Sequence, residues 1–393
     1  MVAVLTFGAC TGDDGDAGSG TELTWFVAVQ RGGSFEASAA RCTEESNGRY
    51  SISVELLPLQ ADAQREQLVR RLGAEDSSID IIGMDVIWTA EFANAGWVRE
   101  WTGPLAEEAT RNRFESSIET ASYEGKLYGA PYNANPELLF YRKDLVPNPP
   151  ATWAEMIEEA KRLDSSIALQ ANRYEGLVVW FNSLLQSAGT EVLSGPTTVD
   201  LAQEPTEEAL SVMGAVARDA PASGFETSNE STAAASFESG ESAFQINYTF
   251  APSSAEANAP DIFKNMGIAP YPAVVEGEPA RPPLGGFNLG VSSYSEHPEL
   301  AFEAAACIAG PENQITVAEL DGLPPSDQTL YENPKVKKAF PGFANLVKQA
   351  LDNSAPRPLT PAYTDLSLAI QRALHPPGKI DPEDPTPVYE DLR

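Results

Sequence analysis

The sequence predicts an α/β protein with two lobes, each built on a mainly parallel sheet flanked by helices. Its 393 residues exceed what a single ordinary hydrophobic core accommodates. Short runs rich in β-forming residues alternate with segments whose apolar residues recur every three or four positions, and glycine or polar turns separate them. This alternation is typical of parallel sheets that carry helices on both faces.

The first lobe begins with three predicted strands, each followed by a predicted helix. The strands cover residues 22–29, 50–59 and 79–85. The third strand, IDIIGMD, is a largely apolar run of the kind found in buried parallel strands, and Ser34 is the expected N-cap of the first helix. Ligands of such sheets contact the turns at the carboxyl ends of the strands. Here these turns are residues 30–34, 60–65 and 85–88.

A second lobe is predicted over about residues 135–265. Its first helix is marked by prolines that precede a capping box of Thr152 and Glu155. Two further helices and one strand are predicted at residues 174–189, 206–220 and 243–248.

The chain changes character after residue 265. Residues 265–293 contain two predicted strands separated by a proline-rich excursion, and we expect these strands to return to the first lobe. Closing helices are predicted at residues 297–310, 340–353 and 360–375.

The charge of the chain excludes some classes of partner. There are 57 acidic against 26 basic residues, a net charge of −31. Nucleic acid and anionic lipid headgroups would be repelled, so neither is expected to bind. The acidity is compatible with neutral ligands, although solubility alone would also explain it.

The amino-terminal segment resembles a lipoprotein signal followed by a tether. MVAVLTFGAC is a short apolar stretch that ends in small residues and Cys10, and a Gly-, Asp- and Ser-rich segment follows it. We expect residues 1–21 to be signal and tether, with Cys10 as a lipid anchor to the outer face of the cytoplasmic membrane. A fortuitous start is the alternative. No run of roughly eighteen apolar residues occurs, so no membrane-spanning helix is predicted.

The cysteines and histidines are few. If Cys10 is the lipid anchor, Cys42 and Cys307 remain. An exported protein can oxidise such a pair, so we predict a disulfide, with two separately buried thiols as the alternative. Two histidines give little material for a zinc site, and neither a metal nor a cofactor is expected.

Motifs typical of catalysis are absent from the sequence. It contains no G-x-S-x-G, no H-E-x-x-H, no glycine-rich phosphate loop and no C-x-x-C. A pair of carboxylates suitable for a glycosidase could always be found among 57 acidic residues, so such a pair carries no information. The sequence therefore favours a binding protein over an enzyme.

Aromatic, amide, acidic and guanidinium side chains occur together at predicted turns and strand ends. This mixture suits a sugar, because rings pack on its apolar faces and polar groups pair its hydroxyls. Each residue also has a plainer interpretation as a helix cap, turn former, core ring or solvated side chain. The candidate ligand-binding residues are Arg65, Asp85, Asn133, Asn135, Glu241, Tyr248, Gly286, Phe287, Asn288 and Arg357.

Several stretches together resemble the extracellular solute-binding proteins of carbohydrate ABC importers. They include DIIGMDVIWTAEFANAGWVREW, GKLYGAPYNANPELLFYRKDL, LGGFNLGVS and APRPLTPAYTDLSLAIQRAL, and the resemblance extends from Glu22 over nearly the whole chain. The chain is most similar to the maltose- and trehalose-binding branch, which includes mycobacterial trehalose-binding lipoproteins.

The resemblance implies a periplasmic-binding-protein-like fold, in which two lobes close on a ligand in the cleft between them. It implies a monomer that binds a disaccharide, trehalose being favoured, and delivers it to the permease subunits of an ABC importer. A Gly-Ala-Pro bend is expected to be a hinge crossing, with ELLFYR beginning the second sheet. The expected lobes comprise residues 22–131 with 266–323, and residues 132–265 with 324–393.

The resemblance also implies roles for individual residues. Asp85, Arg65 and Arg357 match sugar-binding positions of the branch. Asn133 and Asn135 stand where the branch carries a tyrosine and an aspartate, while Tyr248 and Phe287 replace tryptophans, which favours a small hydroxylated disaccharide over a long glucan. The alternatives are a secreted glycan-processing enzyme, or a binding protein for another solute such as maltose or a glycerophosphodiester.

Overall fold

The computed structural model describes residues 20–58, 60–195 and 197–393. Cys10 lies outside these ranges, as does all but the end of the predicted tether.

The described residues contain ten strands. These are β1 (Thr21–Val27), β2 (Tyr50–Leu56), β3 (Ile81–Asp85), β4 (Ser122–Tyr123), β5 (Lys126–Leu127), β6 (Ala130–Arg142), β7 (Ser166–Ala168), β8 (Ser242–Tyr248), β9 (Met266–Ala269) and β10 (Leu284–Val291).

The helices fall between and after these strands. In the first part of the chain they are α1 (Ser34–Glu45), α2 (Ala61–Leu72), α3 (Thr89–Asn94), α4 (Gly103–Thr110), α5 (Glu115–Thr120), α6 (Trp153–Arg162), α7 (Glu175–Ser187), α8 (Gln203–Asp219) and α9 (Glu230–Glu238). Later helices are α10 (Ala251–Asn258), α11 (Pro260–Lys264), α12 (Pro298–Ile308), α13 (Pro311–Asp321), α14 (Pro334–Ala339), α15 (Ala344–Asn353), α16 (Tyr363–Leu374) and α17 (Thr386–Leu392). Short 3₁₀ helices cover Phe225–Thr227, Gln328–Glu332 and Pro377–Lys379.

The main sheet has the strand order β2-β1-β3-β10-β6-β8-β7, and β9 also pairs with β6. The β1–β2, β1–β3 and β7–β8 pairs are parallel, whereas every pair that includes β6 or β10 is antiparallel. The two-lobe α/β prediction is confirmed. The sheets are mixed rather than mainly parallel, because late strand β10 inserts antiparallel between β3 and β6.

Strand β6 belongs to both lobes. Its residues 130–136 pair with β10, and residues 137–142 pair with β8 and β9. The ELLFYR segment therefore begins the second lobe's part of the sheet, as predicted. Of the predicted Gly-Ala-Pro bend, Gly129 does form a bend directly before β6, whereas Ala130 and Pro131 already belong to that continuous strand.

The strand pairing shifts the predicted lobe boundaries. The partner of β6 changes between Pro136 and Glu137 rather than at residue 131. Strand β9 was expected in the first lobe but pairs with the second half of β6, so the chain returns to the first lobe between β9 and β10. The reason is that pairing partners, not local sequence, decide which lobe a short strand joins.

Each lobe buries side chains on both faces of its sheet. In β1, Trp25 and Val27 join one buried cluster with α1 and α12, while Phe26 joins another with α2. In the second half of β6, Leu139 and Leu138 likewise enter opposite clusters. This alternation follows from the two-residue period of a strand and leaves the strand ends to form the edges of the cleft.

The helix predicted after β3 is shorter than expected. The stretch VIWTAEFANAGWVREW predicts a helix over residues 86–101, but α3 covers only Thr89–Asn94. Val98 instead forms an antiparallel bridge with Ser292, since the chain turns back at Gly96, whose φ is +72°.

The predicted disulfide is present between Cys42 of α1 and Cys307 of α12. These helices cover the same face of the first lobe's sheet, and the two cysteines are separated by 265 positions in sequence. The bond therefore ties the beginning of the first lobe to the segment that returns to it.

Within the described ranges, no helix combines the length and apolarity that a membrane crossing requires.

Removing the disulfide is expected to destabilise the protein, since the cross-link restricts the unfolded chain. The Cys42→Ala/Cys307→Ala variant should lose about 2–4 kcal/mol of unfolding free energy, measured by urea denaturation. Wild-type protein under reducing conditions should unfold at the same urea concentration as the variant. Equal midpoints for oxidised wild type and variant would contradict the expectation.

Candidate functional site

A cavity of ≈ 530 Å³ lies between the lobes. The first lobe contributes the turns after β1, β2 and β3, as expected from the rule on strand ends. The second lobe contributes the starts of α7 and α9 and the end of β8, and strands β6 and β10 form the floor. We call this space the main cavity.

The lining of the main cavity is aromatic and strongly polar. Among the described residues, four rings line it: Tyr174, Tyr248, Phe250 and Phe287. Seven amide side chains accompany them: Gln30, Gln60, Gln64, Asn133, Asn135, Asn172 and Asn229. The charged lining residues are Asp62, Asp85, Glu175, Glu230, Asp321, Arg173 and Arg357. Such a surface can pack against an apolar face and pair many hydroxyls at once.

Arg357 joins the two lobes at one end of the main cavity. It is only 5% exposed, and it lies in an extended segment between α15 and α16. Its Nη1 donates to Glu175 Oε1 at 2.6 Å, and its Nη2 donates to Asp85 Oδ1 at 3.4 Å. Because Asp85 ends β3 and Glu175 begins α7, one guanidinium bridges both walls of the cleft.

Glu175 is held in place by several donors. Besides Arg357, the hydroxyl groups of Tyr363 and Ser367 on α16 donate to its carboxylate. It lies in the first turn of α7, where the helix dipole favours a negative charge. Gly176 beside it allows close contact, since a Cβ there would lie 2.3 Å from the Tyr174 hydroxyl oxygen.

Asp85 lies at the carboxyl end of β3, where it was expected. Its Oδ1 accepts a hydrogen bond from the backbone N–H of Ile87 at 3.3 Å. Burial raises the pKa of Asp85, and the nearby charge of Arg357 acts in the opposite direction. The side chain therefore both caps the turn and faces the cavity.

The floor of the main cavity depends on a close approach of β6 and β10. Gly286 has φ of +126°, and a Cβ there would lie 2.2 Å from the carbonyl oxygen of Asn133. Only glycine fits this position. The Phe287 N–H donates to Asn133 Oδ1 at 3.1 Å, while Asn133 Nδ2 has no partner among the described residues. A buried donor is thus left beside the cavity.

Asn135 and Tyr248 complete the floor on the side of the second lobe. The Thr249 hydroxyl lies 3.0 Å from Asn135 Oδ1, which fixes the amide. Tyr248, the last residue of β8, is directly opposite Glu137 of β6. Paired residues point to the same face of a sheet, so the side chain of Glu137 lies beside that of Tyr248.

Glu137 is a buried carboxyl group without a hydrogen-bond partner among the described residues. It is 1% exposed. Burial raises the pKa of Glu137 to about 8, the charge of Glu230 raises it further and Arg357 lowers it. Tyr174, Tyr248 and Tyr271 also surround it. At neutral pH the group is therefore mostly protonated.

Three predicted ligand-binding residues lie outside the cavity lining that the described residues form. Arg65 is paired with Glu91, with Nε 2.7 Å from Oε2. Asn288 is buried, and its Nδ2 donates to the hydroxyls of Thr89 and Thr120. These contacts use the polar groups of Arg65 and Asn288 within the first lobe, so we do not propose them as ligand contacts.

Glu241 is also outside the cavity. Its carboxylate accepts hydrogen bonds from the Ser223 N–H at 2.7 Å and the Ser236 hydroxyl at 3.1 Å. The residue is exposed and precedes β8, whereas the cavity contacts Tyr248 at the other end of that strand. The length of β8 therefore separates Glu241 from the cleft.

Sequence reasoning missed several lining residues of the second lobe. Tyr174, Glu175 and Glu230 stand at the starts of α7 and α9. Polar residues at such positions normally stabilise the start of a helix. The local sequence pattern therefore gave no reason to predict these residues as ligand contacts. The position of Asp62 was included in a predicted turn, although the residue itself was not singled out.

The lining of the main cavity supplies aromatic faces together with hydrogen-bond donors and acceptors. Over the ranges that the structure describes, no group of three or more His, Cys, Asp or Glu side chains is placed to hold a metal ion. The fold and site together define a two-lobe α/β binding protein whose ligand cleft lies between the lobes.

The chain belongs to the family of bacterial extracellular solute-binding proteins, whose family model matches residues 29–315. It is 26% identical over 352 residues to a probable ABC transporter-binding protein of Deinococcus radiodurans, covering 83% of this chain and 81% of that protein. The structure matches the maltose-bound MalE3 of T. maritima with a TM-score of 0.83 and 25% identity, covering 95% of this chain and 98% of that chain.

A second similar structure is that of the GacH receptor of Streptomyces glaucescens. Its TM-score is 0.81 at 20% identity, with 95% of this chain and 97% of that chain covered. This similarity supports the two-lobe fold.

Glu137 is expected to make stability depend on pH. Its pKa is about 8 in the folded protein against 4.5 ordinarily, so folding takes up a proton between these values and stability falls as pH rises through them. Replacing it by Gln removes this dependence. The fall in unfolding free energy from about pH 5 to about pH 8.5 should shrink by on the order of 4 kcal/mol in Glu137→Gln, measured by urea denaturation.

The matched control for this experiment is Glu241→Gln. Glu241 is exposed, and hydrogen bonds lower the pKa of Glu241 rather than raise it. Its variant should follow the wild-type pH profile over the same window. A Glu137→Gln profile parallel to that of the wild type would show that Glu137 does not titrate there.

Proposed function

We propose that this protein binds a neutral disaccharide, trehalose or a close relative, and delivers it to the permease of an ABC sugar importer. The single observation that carries the proposal is the lining of the main cavity, where four rings, seven amides and a buried arginine of the described chain line one space. Sugars need this combination, because their ring faces are apolar and their edges carry hydroxyl groups that must all find partners.

The size and contents of the main cavity support a small ligand. Its volume of ≈ 530 Å³ falls within the usual range of small-molecule sites, about 300–1,000 Å³. The polar groups include fixed acceptors such as Asp85 and, at Asn133 Nδ2, a donor without a partner among the described residues. Hydrogen bonds to charged groups contribute roughly 1.5–3 kcal/mol each, so a few of them are enough for specific recognition.

The similar structures give independent support for a sugar. MalE3, 25% identical to this chain, was solved with maltose bound. The aromatic residues that line the main cavity within the described ranges are Tyr and Phe, which offer smaller stacking surfaces than tryptophan. That difference favours a short, hydroxyl-rich ligand over a long glucan.

Closure of the lobes on the sugar is the proposed mechanism. A ligand in the main cavity touches Asp85 of the first lobe and Tyr248 of the second at the same time. Contacts made only when the lobes are together shift the population towards the closed form. The continuous strand β6 acts as the hinge, and the permease recognises the closed form.

The charge of the main cavity argues against a phosphate-containing solute. Five carboxylates and two guanidinium groups line it in the described part of the chain, and Arg357 is already engaged by Asp85 and Glu175. A glycerophosphodiester would enter a negative environment without an unengaged cluster of donors to neutralise it.

Calorimetric titration tests the proposal directly. We expect trehalose or a related disaccharide to bind with one site per chain, and linkage predicts about 2.7 kcal/mol of added stability at a hundredfold excess over Kd. A disaccharide panel that produces neither heat nor thermal stabilisation would refute it. Release of monosaccharide during incubation would instead identify a glycan-processing enzyme.

Asp85→Asn should weaken disaccharide binding by about tenfold or more, because a charge-assisted acceptor becomes a neutral amide. Glu241→Gln provides the control, since Glu241 lies outside the cavity, and its affinity should equal that of the wild type. Equal losses in both variants would indicate a general effect of charge rather than a contact from Asp85.

A further inference from the structure

A second cavity lies directly beyond Arg357. It has a volume of ≈ 400 Å³, and Arg357 lines both it and the main cavity. We call it the outer cavity. Its other walls include Glu119 of α5, Asn182 and Gln186 of α7, and the segment that follows α7. Since α5 belongs to the first lobe and α7 to the second, the outer cavity is also lined by residues of both lobes.

One face of α7 lines the two cavities in series. Glu175 and Val179 line the main cavity, and Asn182 and Gln186 line the outer cavity. These positions follow the three- and four-residue spacing of a single helix face. Eleven residues of helix extend over about 16 Å, so the cavities lie end to end along α7.

Arg357 stands where the two cavities meet. Its segment is anchored just before Arg357, by a bridge from Ala355 to Pro283 and by a hydrogen bond from Gln186 Nε2 to the Pro356 carbonyl oxygen at 2.9 Å. The side chain is fixed by Asp85 and Glu175. The Arg357 side chain is thus held at its backbone and at its guanidinium group, and it divides the space between the lobes.

The outer cavity contains polar groups that the structure leaves unused. Asn182 is 1% exposed, yet neither its Nδ2 nor its Oδ1 has a hydrogen-bond partner in the described part of the chain, and the same is true of Arg357 Nε. Buried amides normally have partners. Unused donor and acceptor groups of this kind suit water or the hydroxyls of a sugar.

We propose that Arg357 is a partition that sets ligand length: it closes the end of a longer groove and restricts the main cavity to short sugars. This inference rests on the proposed function. It assigns the outer cavity the chemistry of a further sugar subsite, which becomes accessible once the guanidinium is removed. Arg357 therefore acts by exclusion as well as by contact.

The test compares a disaccharide with its homologues extended by one and two glucose units, by calorimetry. Wild type should bind the disaccharide about tenfold or more tighter than either homologue, because the partition leaves the added ring no room. In Arg357→Ala, disaccharide affinity should fall, and the ratio of trisaccharide to disaccharide affinity should rise by about tenfold or more. An unchanged ratio in folded Arg357→Ala overturns the proposal.

A companion variant keeps the test valid if Arg357→Ala fails to fold. Arg357→Ala alone leaves the buried Glu175 carboxylate without its cationic partner. The double variant Arg357→Ala/Glu175→Gln removes that negative charge, and the new amide remains available to Tyr363 and Ser367. It should show the same rise in ratio. Thermal unfolding verifies that each variant is folded, and Arg357→Lys, which keeps a long cationic side chain, should retain the wild-type preference for the disaccharide.

Filling the outer cavity separates entry of the longer sugar from a general loosening of the site. Ser194 lines that cavity and is exposed. Adding Ser194→Trp to Arg357→Ala should abolish the gain for the trisaccharide and leave disaccharide affinity unchanged. A gain that persists in this double variant overturns the assignment of the outer cavity. Failure of wild type to bind any sugar would instead refute the proposed function, so the two failures are distinguishable.

Discussion

A buried guanidinium shared by two carboxylates is the interaction on which the geometry of the site depends. Arg357 contacts Asp85 from the first lobe and Glu175 from the second. Taking these charges out of water costs several kcal/mol per ion, and that cost is offset only while the partners stay in place. While these contacts are made, the end of β3, the first turn of α7 and the segment carrying Arg357 are held together, and these three points shape one end of the main cavity.

Local sequence patterns were sufficient for most elements, but not for their pairing. The capping box of Thr152 and Glu155 is present with both reciprocal hydrogen bonds, because its two members lie within one helical turn. The mixed sheet could not be predicted in the same way. Strand β10 inserts between β3 and β6 from far along the chain, and its direction depends on that long-range fit rather than on its own residues.

The site was predictable where a strand ends and unpredictable where a helix begins. Asp85 and Tyr248 follow the rule that ligands meet the carboxyl ends of strands, and both line the cavity. The same rule would have excluded Glu241, which precedes its strand. Glu175 was not predicted as a cavity residue, because a carboxylate at the start of a helix resembles an ordinary helix cap. Its function becomes visible only when tertiary structure brings Arg357 against it.

The interleaving of the lobes has a consequence for how the protein assembles as it leaves the cell. The first lobe's sheet lacks its inner strand until β10 has emerged, since β10 separates β3 from β6. Until then both neighbours expose unsatisfied backbone edges, which are prone to wrong pairing. Neither lobe is a contiguous stretch of chain, so a nascent polypeptide cannot finish one before starting the other. Maturation must therefore wait until synthesis is nearly complete.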